Sequence, residues 1–309
     1  MAAILGYAAG HQILGISRDY QQYLNFFDWL ASAQPAQALS HRFENGFTLL
    51  AATLARARLD SVNIYVVIAG LAIFVKYFAL QTKTHFWLTV TVFTFYYLFR
   101  YYTLFEMTVL RATVALSLAF YVFYTRNRYE ICLKHIGLLL LATSMHVSSV
   151  VLLLIYLIRP AGPVIVIGVG LASFISIVMI QHAVFDVLSI YFPLLNNYRS
   201  LGQAALLPIP FAFDIAFLIF VSANWARNDC LMKTCAMGMS LGIAMHYSLL
   251  DHAILAGRFR ELLSIFYILY MVRAVTYPRT FVKYGSVVFF MFRAILHAYA
   301  MYIHDPLLT

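Results

Sequence analysis

Long apolar runs separated by short polar joints govern the chain. They extend over Val62 to Leu80, His85 to Phe99, Met107 to Tyr124, Ile136 to Ile158, Val164 to Ile180, Leu207 to Trp225, Thr234 to Leu250, Leu262 to Val275 and Tyr284 to Tyr302. Most approach the ~20 residues with which a helix crosses hydrocarbon, where only a helix or a closed barrel satisfies its own backbone. The pattern predicts an all-α polytopic membrane protein of about 9–11 transmembrane or re-entrant helices. Residues 1–309 are read as a single transmembrane domain. Two polar stretches, Ser17 to Asn45 and Gln181 to Ala205, interrupt the spans and define outer-face segments at about 17–60 and 181–206. Met1 to Gly15 lacks a basic n-region and a small-residue cleavage site, so it reads as a clipped or tilted first helix instead of a cleavable signal.

Basic residues in the joints set the orientation. The densest clusters, Arg126/Arg128/Lys134 and Arg273/Arg279/Lys283, are placed on the cytoplasmic side. Five crossings between them give the wrong parity, so one run must reverse. The stretch Thr143-Ser-Met-His-Val-Ser-Ser149 puts four hydroxyls and a histidine at bilayer depth, where broken backbone is tolerated only against protein or a wet cavity. Ile136 to Met145 and Val147 to Ile158 are therefore expected as two legs meeting at His146, and Gly46 to Leu59 as a short outer helix. With this topology Lys76, Lys83, Lys134, Lys233 and Lys283 lie on or near the cytoplasmic side. The outward basic residues are all arginines: 18, 42, 56, 58, 100, 111, 199, 258, 260 and 293. Arginine presents a rigid fork that grips phosphate or carboxylate in pairs of hydrogen bonds, which a lysine cannot do.

Composition sharpens the class. The chain is 63% hydrophobic and 11% charged, against roughly 45–50% and 25% in soluble domains. Its net charge of +9 is scattered among apolar runs with no basic stripe or arm, which disfavours nucleic acid and favours membrane lipids and anionic substrates as partners. Cys132, Cys230 and Cys235 show no metal-type spacing, and no zinc, Walker, nucleophile-elbow or dinucleotide motif is present. Neither a metal nor another cofactor is expected.

Arg111 is the most informative single position. An arginine inside a span costs at least ~2.5–3.5 kcal/mol and usually faces a polar interior with a partner. Either it forms a structural pair with Glu106 or snorkels, or it clamps a phosphate, with Arg258 as the other leading clamp candidate and Arg100 as a further contact. Asp19 beside Arg18, Glu44 before Asn45-Gly46, and His146 at the expected break are candidate general bases, each with a plain structural alternative as a helix cap, a surface ion pair or a satisfied core histidine. Arg258 and Arg260, in the expected outer loop Ala256 to Glu261, and Tyr198 with Arg199 in the long outer segment complete the candidate anion and sugar contacts.

Several of these stretches occur together in a known family. Gly15-Ile-Ser-Arg-Asp-Tyr-Gln-Gln-Tyr23, Phe43-Glu-Asn-Gly-Phe47, Leu110-Arg-Ala-Thr-Val-Ala-Leu116 followed by Arg126 and Arg128, Ala142-Thr-Ser-Met-His-Val-Ser-Ser149 and, loosely, Gly257-Arg-Phe-Arg260 resemble in order and spacing the EpsG-type and Wzy-type membrane proteins of bacterial polysaccharide assembly. The resemblance implies a GT-C-like membrane glycosyltransferase architecture. It also implies a polymerase joining undecaprenyl-diphosphate-linked oligosaccharide repeat units at the outer face of the bacterial inner membrane, with a chain-length-regulating co-polymerase as a partner to consider. In the mechanism expected, metal-independent, arginines hold the donor diphosphate while Asp19, Glu44 or His146 takes the acceptor proton. A membrane glycosyltransferase using a lipid-phosphate sugar and a transporter or flippase of lipid-linked glycans are the alternatives.

Overall fold

A computed structural model of the chain describes residues 1–309 except 18, 35–36, 39–42, 82–84, 127, 161, 192–208 and 300–309; side chains at 100, 180–191, 209–211, 227, 253–254 and 297 are also outside the description. The described residues form helices joined by short turns, with no β-sheet among them. They divide into two compact units, 1–154 with 290–309, and 155–289.

In the first unit, helix α1 (Ala2–Gly10) lies against α4 (Ser61–Leu80). Two glycines one turn apart make this possible: a Cβ at Gly6 would come within 2.7 Å of the Gly70 Cα, and one at Gly10 within 2.3 Å of a Val66 methyl. This is the small-xxx-small spacing that lets helix backbones approach closely. Buried Gln12 seals the joint by donating to the carbonyls of Ala9 and Met107 and accepting from the Ser17 amide. Helix α4 starts at Asp60, whose carboxylate accepts from the Asn63 amide at 2.7 Å, a side-chain N-cap. It is the one described helix long and apolar enough to cross a membrane on length and composition alone. Its Ile64, Ile68 and Ala72 face inward while Leu71, Phe74 and Phe78 remain exposed.

Helix α2 (Tyr20–Ser32) and α3 (Asn45–Arg56) are amphipathic and pack on each other through a buried aromatic cluster, with Tyr23, Phe26, Phe27 and Phe47 nearly inaccessible. Helix α5 (Phe86–Tyr97) does not end near Phe99 as the apolar run predicts. It widens into a π-helix (Leu98–Glu106) in which Tyr101 stacks on Phe105 and the Tyr102 hydroxyl donates to the Leu5 carbonyl. Such wide turns accommodate crowded rings and recur near functional positions. Helix α6 (Leu110–Thr125) then packs against α4 and against α7 (Leu133–Met145).

Helix α7 stops where the hydroxyl-rich stretch predicts. His146 is extended (φ −154°, ψ 110°), a 3₁₀ turn follows (Val147–Ser149), and α8 (Val150–Leu157) resumes. The hydroxyls mainly bond local backbone: Thr143 donates to the Leu139 carbonyl, Ser144 to Leu141 and Ser149 to His146. The hydroxyls thus satisfy themselves on local backbone, and Ser149 in addition holds the His146 carbonyl at the break.

The second unit contains the rest of α8 with α9 (Pro163–Tyr191), α10 (Ile209–Ala223), α11 (Cys230–Ser248), α12 (Ala253–Leu263) and α13 (Ile265–Val275); α14 (Thr280–Tyr299) begins in it and ends in the first. Two expectations change here. Helix α9 runs on through Gln181 to Tyr191, beyond the apolar run. Residues 256–261, read as an outer loop, are helical, because Ala, Leu, Arg and Glu are strong helix formers and the single Gly257 costs only about 1 kcal/mol. Outward apolar side chains such as Leu140, Leu141, Leu171, Ile175, Phe292 and Ile295 are exposed, consistent with a membrane protein.

Candidate functional site

The first unit gathers three of the predicted residues at the helix break. Glu44 immediately precedes α3, in the position of an N-cap, yet its side chain makes no cap bond. It turns instead toward α6 and α7. Glu44 Oε2 accepts from Arg111 Nη1, Oε1 lies 3.2 Å from His146 Nδ1, and the Val147 amide donates to the same Oε1 at 3.3 Å. Glu44 therefore ties residues 67 and 102 positions away in the sequence. Gly46 makes the approach possible, since a Cβ there would lie 2.3 Å from Ser144 Oγ and 2.8 Å from the Ser144 carbonyl.

Aromatic packing fixes the arginine. The guanidinium of Arg111 lies 4.5 Å from the centre of the Phe43 ring, a cation–π contact, and Phe43 stacks on Tyr23 at 5.7 Å. Tyr23 interacts with Arg111, while Asp19, at the start of α2, bears on the same phenol through its charge. Burial pushes the Tyr23 hydroxyl up, and Arg111 pulls it back. For Glu44, burial acts upward as well, but the His146 hydrogen bond and the Arg111 charge overcome it and hold the carboxyl down at about 2, from an ordinary 4.5. Glu44 is thus a fixed anion between a guanidinium and an imidazole. The buried Nε of Arg111 finds no acceptor among the described residues.

Glu106 has another role than the one considered for it. It does not pair with Arg111; its Oε1 receives Lys76 Nζ at 2.6 Å, and the same ammonium reaches the Tyr97 hydroxyl at 3.1 Å. Lys76 and Glu106 are almost wholly inaccessible. Lys76 is therefore neutralised inside the unit, and its place near a helix end carries no information about sidedness. Arg293, counted among the outward arginines, is buried and donates to the Tyr96 hydroxyl. The sequence offers no pointer to either partner, because both contacts join distant helices.

Of the other predicted positions, Asp19 stands at the start of α2, within electrostatic reach of Tyr23. Arg258 and Arg260 lie on α12 of the second unit, Arg258 exposed and Arg260 half-buried. Arg18, Tyr198 and Arg199 fall outside the described residues, as does the side chain of Arg100, whose backbone belongs to the π-helix. Among the described residues no group of three or more His, Cys, Asp or Glu is arranged to hold a metal. The second unit carries an open apolar pocket of about 480 Å³ lined by Ile167, Phe174, Leu218, Ile243, Tyr247 and neighbours. That pocket suits hydrocarbon, and its described lining carries no carboxylate, imidazole or guanidinium. The Glu44/Arg111/His146 cluster, by contrast, brings a carboxylate, a guanidinium and an imidazole together.

The sequence pattern of the EpsG family matches residues 1–306, essentially the whole chain. No curated protein and no solved structure matches.

Proposed function

This chain belongs to the EpsG family, whose membership points to a polysaccharide polymerase-type function, and from that premise we propose that it joins undecaprenyl-diphosphate-linked oligosaccharide repeat units into O-antigen, capsule or exopolysaccharide. It works as a multi-pass, GT-C-like, metal-independent glycosyltransferase of the bacterial inner membrane, with its site toward the periplasm or exterior. Membrane lipids surround it, and a chain-length-regulating co-polymerase is its protein partner. The observation that carries the reading is the convergence of Glu44, Arg111 and His146 at a broken helix. A site combining a guanidinium, a fixed carboxylate and an imidazole can hold an anionic donor and accept a proton without a nucleotide. Arg111 keeps 18% of its side chain accessible for such a donor, and Arg18, Arg100, Arg199, Arg258 and Arg260 with Tyr198 are further donor or sugar contacts.

Purified protein in liposomes supplied with lipid-linked repeat units tests this directly. A ladder of products differing by one repeat is expected. Addition of a single sugar would instead indicate a lipid-phosphate-dependent transferase, and translocation without a new glycosidic bond would indicate a transporter.

A further inference from the structure

We infer that His146 and Glu44 share the proton transfer unequally, with His146 Nε2 as the base that removes the acceptor proton and Glu44 as the positioning residue that orients the imidazole and balances its charge. The inference rests on the polymerase reading above. Three observations support it. An ionised carboxylate can only accept hydrogen bonds, so the 3.2 Å contact between Glu44 Oε1 and His146 Nδ1 places a proton on Nδ1. In the neutral ring the lone pair is then on Nε2, for which no partner is present among the described residues. Second, Glu44 itself is a poor base. Three donors already occupy it, and a carboxyl held at about 2 has little affinity for a proton at neutral pH. Third, Asp19 has no hydrogen-bonded partner for its carboxylate among the described residues, and so nothing there that orients it.

The chemistry balances within the cluster. The acceptor hydroxyl oxygen forms a bond to the anomeric carbon of the donor. The bond from that carbon to the diphosphate oxygen breaks, and its electron pair leaves with the diphosphate. The hydroxyl proton passes to His146 Nε2 and from there to the departing diphosphate or to water. Before transfer, Arg111 and Glu44 cancel; after it, the imidazolium leaves the cluster at +1 as the leaving group gains negative charge. This is the carboxylate–imidazole logic of hydrolytic triads applied to a sugar hydroxyl.

The test uses full-length protein in liposomes with lipid-linked repeats. His146→Gln should lower kcat about 10²- to 10⁴-fold, the usual worth of a general base, with the KM for donor changed only a few-fold. Glu44→Gln, which keeps shape but loses charge, should lower kcat by about 10- to 10³-fold. Added imidazole should restore His146→Gly at least tenfold and leave Arg111→Ala unrestored. The division of labour is overturned if His146→Gln keeps more than a tenth of kcat, or if monodisperse His146→Gly shows no response to imidazole. A wild-type protein that makes no ladder would instead defeat the polymerase reading itself.

Discussion

At the scale of single residues, Glu44 makes its own stability signature. Its folded-state carboxyl value lies below the unfolded one, so its stabilisation is complete above about 4.5 and is withdrawn as pH falls toward about 2. Allowing for partial solvent access, the contribution is on the order of 2–3 kcal/mol. The melting temperature of wild-type protein in detergent should fall between pH 5 and pH 3 by several degrees, and that of Glu44→Gln should be lower at neutral pH and nearly flat across the window. The buried pair gives a second residue-scale prediction. Lys76→Met alone strands the Glu106 carboxylate and should destabilise by about 3–5 kcal/mol, whereas Lys76→Met combined with Glu106→Gln should recover most of the loss. A double-mutant cycle on thermal unfolding measures the difference.

At the scale of elements, the site depends on how closely α3 meets the end of α7. Gly46→Ala places a methyl against the Ser144 backbone, and overpacking of this kind costs about 1–3 kcal/mol. The expected result is lost polymer with the remaining helices intact by circular dichroism. Gly137→Ala, on the same α7 but with nothing within 4 Å of its new Cβ, should leave activity unchanged and stabilise by about 0.5–1 kcal/mol. The break at His146 is legible in sequence because hydroxyls and an imidazole cannot sit unpartnered in hydrocarbon. The partner of Arg111 is not, since Glu106 is five residues away and Glu44 is 67, and linear spacing favours the nearer acid. Likewise, the charge density of 256–261 suggests a loop, although Ala, Leu, Arg and Glu favour a helix there. The π-helix has no sequence signature beyond its crowded aromatics, and the Gly6/Gly10 contact is present as a spacing that apolar runs conceal.

For the whole molecule, sidedness follows from the count of basic residues in the joints, and the proposed outer site depends on it. Cys132 is exposed and belongs to the joint assigned to the cytoplasm, while Arg58 is exposed after α3 on the assigned outer face. With Cys230 and Cys235 replaced, an impermeant maleimide should label Arg58→Cys on intact cells and Cys132 only after permeabilisation. The reverse pattern would place the Glu44 cluster on the cytoplasmic side and remove the outer-face assignment.

One carboxylate serves three donors, and this sets how the site responds to change. Arg111, His146 and the Val147 amide all draw on Glu44, so their energetic contributions do not sum. In thermal stability, once Glu44 is lost a second replacement at Arg111 or His146 meets an arrangement already undone, and the double variant should melt little below the single one. In genetic terms the three positions are epistatic. A suppressor of a defect at one of them is to be sought at the other two, and a functional substitution of Glu44 requires compensation on two separate helices at once.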